Sequence, residues 1–210
     1  MNLSKKIVKN QELNEKNFSN TDFVDQDFLE CILKWSNFEN SKFTNVNFLK
    51  CDIGESNFKN TFFINCSFDS IKAFNMNFSN SFFKDCKFLE FDMRDSDMNE
   101  IKIENSILKK SVLRGSHFEN SILADTIFDN CDLKKCIFNN AKFDSISFNS
   151  TDLFMSKFEH NIYKETMIKS CNIMFARFKG KNFDKIKILD SNKDRTCLLY
   201  TSPSPRDTLL

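Results

Sequence analysis

Glycine, proline, histidine and tryptophan are all scarce in this chain: three, two, two and one among 210 residues. Three scattered glycines leave no Gly-rich loop to cradle a phosphate. Two isolated histidines, His117 and His160, and the lack of any CxxC pair leave no zinc-ligand spacing. No run of about 18 apolar residues occurs, so no membrane-spanning helix is expected. The N-terminus, MNLSKKIVKNQELNEKNF, carries lysines without an apolar stretch of signal-peptide length. The formal net charge is only +1, so no global excess of either sign calls for nucleic acid or an anionic membrane as partner. A soluble, cytoplasmic protein with no direct nucleic-acid or membrane contact is the expectation.

What is abundant is phenylalanine, 26 residues of it. In the segment Ser36 to Phe68, every fifth residue is Phe or Ile and the residue two before it is small: Ser36, Ser41, Val46, Cys51, Ser56, Thr61, Cys66. A short fixed period with one large and one small apolar slot marks a solenoid whose units bury their faces only against neighbours. From Leu13 to Ile188 this five-residue register gives 36 consecutive centres, and 20 of the 26 Phe fall on them. An even spread over five phases would put about five there. A beat of five fits neither a helical period of 3.6 nor a strand period of 2, so the backbone must turn a corner in each unit.

Sorting the centres modulo 20 counts the sides of a coil. One class reads Leu13, Leu33, Ile53, Ala73, Met93, Leu113, Leu133, Leu153, Ile173, without an aromatic. The next reads Phe18, Phe38, Phe58, Phe78, Met98, Phe118, Phe138, Phe158, Phe178. Such segregation is the trace of side-chain ladders stacked along four-sided coils of 20 residues, about nine of them, forming a rod near 40 Å long. Two residues after the second class comes Asn20, Asn40, Asn60, Asn80, a column suited to left-handed corners. Where the centre shrinks to Ala73, the inward partner grows to Ile71, as a volume-conserving interior requires. An interior filled in this way leaves no channel for a small molecule.

The tandem pattern (small)(Asp/Asn)(Phe/Leu)xx resembles the pentapeptide-repeat family, with Ser, Cys or Thr in the small slot and Phe in the centre where the family prefers Ala and Leu. The resemblance covers about residues 11–190 and implies an all-β fold, a right-handed quadrilateral β-helix with the centre and the residue two before it pointing inward. Residues 1–10 read as a lead-in or cap and 191–210 as an off-register tail holding both prolines. Within that tail, CLLYTSPSPRD resembles translated sequencing-adapter sequence, so 197–210 is expected to be foreign to the natural chain.

Chemistry finds little purchase. Seven of the eight cysteines, Cys31, Cys51, Cys66, Cys86, Cys131, Cys136 and Cys171, occupy the inward slot, where Cys serves as a small hydrophobe. Cys31/Cys51 and Cys66/Cys86 stack at a spacing a disulfide can bridge, but a cytoplasmic setting favours free thiols over a redox or metal role. Ser116 and His117, being adjacent, point to opposite sides of the wall and form no dyad. No catalytic residue, cofactor or metal is assigned, and an enzyme is not expected.

The surface is more informative. Residues 11–100 carry 16 acids and 9 bases, net −7, and residues 101–190 carry 11 acids and 15 bases, net +4. Members of the resembled family of similar length inhibit DNA gyrase as dimeric mimics of duplex DNA, some conferring quinolone resistance, which makes a gyrase or topoisomerase one expected partner. Duplex DNA carries a charge per about 1.7 Å, so the roughly 22 Å acidic half would need about thirteen. The net −7 is near half that. Outward apolar residues cluster instead: Phe154 with Met174, Met155 with Phe175, and Phe62 with Phe82. Contiguous exposed apolar surface points to association, and the Phe154–Phe175 patch is expected to form a homodimer contact or to seat a C-terminal segment. The preferred reading is a non-enzymatic interaction scaffold, a rigid rod with an acidic and a basic half offered to a protein partner.

Overall fold

In the computed structural model, which describes residues 7–200, the chain winds into one all-β parallel solenoid of about ten turns. Each residue pairs with the one 20 further on, as Phe23 with Phe43 and Phe48 with Phe68. In most coils two sides are three-residue strands such as Phe62–Ile64 and Ser67–Asp69 and the other two are single bridges such as Ile32 to Asp52 and Asn37 to Asn57; in the last coils the strands lengthen, as Lys142–Asn149, Lys157–Lys169 and Arg177–Lys181. Four such sides close each coil. The sides are named here by their first centres, Leu13, Phe18, Phe23 and Phe28.

The corners explain the five-residue beat. From Asn10 to Phe175 every fifth residue has positive φ, between 45° and 61° for all but Gly115. On the Leu13 and Phe18 sides several corners close by a turn bond, for example Ser41 N–H to Phe38 O at 3.1 Å. A left-handed third residue is what a type II turn requires. The Asn column at 20, 40, 60 and 80 sits at φ 55° to 59°, and Asn60 and Asn40 donate Nδ2 to the Oδ1 of the asparagine one coil below.

Inside, the ladders are physical. Phe38 and Phe58 stack with centroids 4.5 Å apart and Phe58 and Phe78 with 5.3 Å; the same holds for Phe43, Phe63 and Phe83. Ile71 and Ala73 are both buried, as their compensating sizes require. Inward hydroxyls bond the coil below: Ser56 Oγ donates to Leu33 O at 2.7 Å and accepts from Ser36 N–H at 3.0 Å. Polar atoms placed in a dry shaft must be paired in this way. Ser121 Oγ and Thr166 Oγ1 lack such a partner.

The structure departs from the expected register in three places. Pairing begins before residue 11, at Ile7–Lys9 against Asp27–Leu29. It also runs past 190: Asn192 bridges Asn172, and Cys197–Tyr200 pairs with Arg177–Gly180. Ser191 and Thr196 fill the small slots, Thr196 Oγ1 donating to Ile173 O at 2.6 Å, while the exposed Lys193 stands where a centre would be and hides the pattern. Residues 1–6 of the lead-in and 201–210 of the tail, with both prolines, lie outside the described residues.

The third departure is a slip in the register. Phe158 pairs with Phe178, but Asn161 pairs with Gly180, one residue short. The inward slot there belongs to Lys181, whose ammonium a dry core cannot take. The backbone shortens, Gly180 is buried in its place and Lys181 stays exposed. The lost residue is recovered by a left-handed Asn182 and a 3-10 turn at Phe183–Lys185, whose Phe183 ring lies edge-on to Tyr163 at 6.3 Å.

Candidate functional site

Among the described residues the interior offers no reactive group to solvent. The seven inward cysteines are free and buried; Cys197 alone among the eight is exposed. Burial pushes the Cys131 thiol up to about 11 and raises Cys136 and Cys171 as well. In the stacked pair Cys31 and Cys51, the hydrogen bond from Cys51 draws Cys31 down to about 6, and the same bond raises Cys51. Cys66 and Cys86 repeat the arrangement. Among the described residues no three His, Cys, Asp or Glu side chains meet to hold a metal ion, and no helix is long and apolar enough to cross a membrane. Ser116 is buried with Oγ donating to Met93 O at 2.8 Å, while His117 faces outward with Nδ1 3.6 Å from Glu119. The two do not meet.

On the outside, the anticipated apolar residues fall into two separate places. Phe62, half exposed, meets Phe82 edge to face at 6.3 Å on the Phe23 side, and Lys102 Nζ lies 5.1 Å over the Phe82 ring. Phe154, Met155, Met174 and Phe175 lie on the Leu13 side at the other end of the rod. Their pairing is partly diagonal: the Phe154 ring meets Phe175 edge-on at 5.6 Å. Phe154 and Met174 are partly buried, leaving Met155 and Phe175 as the exposed members.

Both exposed members are corner residues, with φ 59° and 57°. A left-handed corner costs an L-residue other than Asn or Gly roughly 1–2 kcal/mol, and an exposed apolar side chain gains nothing from water in return. Every corner carries the left-handed backbone, so what sets Met155 and Phe175 apart is the exposed apolar side chain placed on it. Trp35, φ 55° and half exposed, is a third case; Lys34 Nζ lies 4.4 Å over its ring and 5.6 Å from the Phe74 ring. Phe74 covers the place left open by Gly54, whose missing Cβ would sit 3.3 Å from that ring.

Around the corner from Met155 and Phe175 the wall turns basic. A groove of about 580 Å³ runs between them and the Phe18 side, bounded by Lys157, Arg177, Lys179 and Arg195, with Glu159 and Cys197 at its edge. Arg195 lies 5.5 Å over the Phe175 ring, and Arg177 reaches Glu159 at 3.7 Å. Elsewhere the charges interleave: Arg94 with Asp92, Arg114 with Asp132, Lys134 with Asp152, Lys164 with Asp144.

Comparison with known proteins identifies the architecture. The family model for the pentapeptide repeat region matches residues 41–118, and that for pentapeptide repeats in eight copies matches residues 111–149. The chain belongs to the pentapeptide-repeat family. No curated protein matches it by sequence. Solved structures of similar architecture include a trypsin-treated variant of QnrB1, a plasmid-mediated fluoroquinolone resistance protein, at 11% identity, over 89% of this chain and 91% of that one, with a TM-score of 0.47. Another is HetL, a pentapeptide repeat protein involved in heterocyst differentiation regulation from the cyanobacterium Nostoc sp. strain PCC 7120, at 13% identity, over 91% and 87% of the chains, with a TM-score of 0.33.

The basic wall of this pentapeptide-repeat rod escaped a reading by halves. Counting charge per half averages over four sides, whereas recognition sees one corner. Columns of 20 along the outward slots place Lys157 directly below Arg177 and Met155 below Phe175. Trp35, likewise, was visible as the one Trp on a corner slot.

Proposed function

We propose that this pentapeptide-repeat protein is a non-enzymatic interaction scaffold whose partner docks on the corner formed by Met155, Phe175 and the cationic wall beside them. The observation that carries this reading is the placement of two exposed apolar side chains on strained left-handed corners, flanked by an open groove. A solvated wall would hold a polar residue there, as every corner from Glu15 to Glu100 except Trp35 does. Contiguous apolar surface rimmed by charge is the usual form of an association site.

The rival within binding proteins is mimicry of duplex DNA against gyrase or another topoisomerase. Its support is the net −7 of residues 11–100. Against it, the acids are interleaved with bases along the sides, pairing as Lys34 with Glu55 and Lys110 with Glu90, and a stretch of DNA would present no such cations.

Affinity purification from the native host with wild type and with the double variant M155S/F175S tests the scaffold. A protein enriched by wild type and lost with the variant is the expected result. Enrichment unchanged by the variant would remove the corner from the function. Inhibition of gyrase supercoiling by micromolar protein, retained in M155S/F175S, would install the mimic in its place.

A further inference from the structure

Resting on that docking corner, the chemistry of its partner can be narrowed. Lys157, Arg177, Lys179 and Arg195 bring four positive charges to one groove, and Glu159 brings one negative, a local balance of +3. The Glu159 carboxylate is engaged by Arg177 at 3.7 Å. No carboxylate pairs with Lys157 or Lys179 among the described residues, while eleven other ion pairs, one of them His117 with Glu119, stud the rest of the wall. What sets Lys157 and Lys179 apart from the other lysines of the wall is that they stand with Arg177 and Arg195 around one groove beside Met155 and Phe175.

Their spacing is that of a polypeptide. Arg177 and Lys179 stand two residues apart on one extended strand, Arg177–Lys181, and both face outward. Side chains at that interval are about 6.6 Å apart, the repeat of same-face side chains in any extended peptide. Lys157 lies one coil below Arg177, about 4.8 Å away. Arg195, held over the Phe175 ring, presents its guanidinium at the apolar edge. A ligand matching all of these has carboxylates on alternate residues and an apolar side chain on its other flank.

We infer that the groove binds an extended acidic segment of a partner protein, with its carboxylates on Arg177, Lys179 and Lys157 and an apolar side chain laid on Met155 and Phe175. Nucleic acid fits less well. The basic surface spans only the last coils, since the Phe18 side turns to Asp97, Glu100 and Glu119 below it. A duplex, with a charge per about 1.7 Å, would run off the basic patch onto those acids.

The test uses a fluorescein-labelled peptide of sequence Asp-Phe-Glu-Leu-Glu-Asp, its counterpart with all acids replaced by Gln, and a fluorescein-labelled oligothymidylate of six nucleotides, each titrated with the full chain. The acidic peptide is expected to bind at least tenfold more tightly than the Gln peptide and the oligothymidylate. R177E/K179E should weaken it at least tenfold, and M155S/F175S at least threefold. Bimane attached to Cys197 at the groove edge gives a second readout, shifting with the acidic peptide only. Equal affinity for the Gln peptide, tighter binding of the oligothymidylate, or binding indifferent to R177E/K179E overturns the inference. Capture of a host partner that depends on Met155 and Phe175 but not on Arg177 and Lys179 would overturn this partner chemistry alone and leave the scaffold standing.

Discussion

Gly180 passes so close to the backbone carbonyl of Asn161 that a side chain has no room: an added Cβ would collide with that oxygen and come within 2.9 Å of the Tyr163 ring. Asn161 is fixed on its other flank, its Oδ1 accepting from Ala141 N–H at 2.8 Å and its Nδ2 donating to Tyr163 Oη at 3.3 Å. Tyr163 in turn donates to Phe158 O at 3.2 Å. The substitution G180A should therefore cost about 1–3 kcal/mol. In a solenoid this loss falls on the terminal coils. Hydrogen exchange is expected to show reduced protection over residues 177–200 with residues 30–140 unchanged; uniform loss along the rod would contradict nearest-neighbour coupling.

Phe58 and Phe62, four residues apart, separate interior from exterior. Phe58 is fully buried between Phe38 and Phe78, whereas Phe62 is half exposed. F58A should destabilise by about 3–5 kcal/mol. F62S should cost under about 1 kcal/mol. Urea midpoints of the two variants decide; similar shifts would mean that the ladder is not the stabilising unit.

Alkaline pH should loosen the rod. Cys131 is held near 11 against an ordinary 9.0, and Cys136 and Cys171 are raised too. A raised folded value means that the native state keeps its proton while the unfolded chain gives it up, so the stabilisation is whole below pH 9 and lost as pH climbs toward 11. Each such thiol contributes a slope of about 1.4 kcal/mol per pH unit in that window. The melting temperature is expected to fall from pH 9 to 11, and less steeply in C131A.

The proposed docking corner sets stability against binding. M155N and F175N replace side chains poorly suited to left-handed backbone, at φ 59° and 57°, by one that, after glycine, tolerates it best. A gain of about 1 kcal/mol per site is expected. Thermal unfolding measures it, and a lowered midpoint for both variants would show that Met155 and Phe175 serve the fold.

The fold was legible in the sequence because a solenoid writes its geometry as a period. The aromatic column through Phe38, Phe58 and Phe78, the inward thiols and the Asn corners all follow from counting modulo 20. The slip at Gly180 was not legible from the centres, since Phe183 keeps the phase while the backbone beneath it does not. Its signal was Lys181 in an inward slot. The candidate surface was half legible: Met155 and Phe175 were visible as misplaced apolar residues. The Phe154–Phe175 edge contact and the cationic wall were not, because they depend on how adjacent sides meet at a corner.

Since every coil touches only the coil above and the coil below, with a partner 20 residues away except at the slip beside Gly180, the protein has no privileged length. A reading frame that gains or loses one coil's worth of codons would still close the same square, shifting the distance between Trp35 at one end and Phe175 at the other by a single strand spacing. Such a rod is a ruler whose graduation is set by its gene, and the separation of its two decorated ends is the quantity most freely open to inheritance.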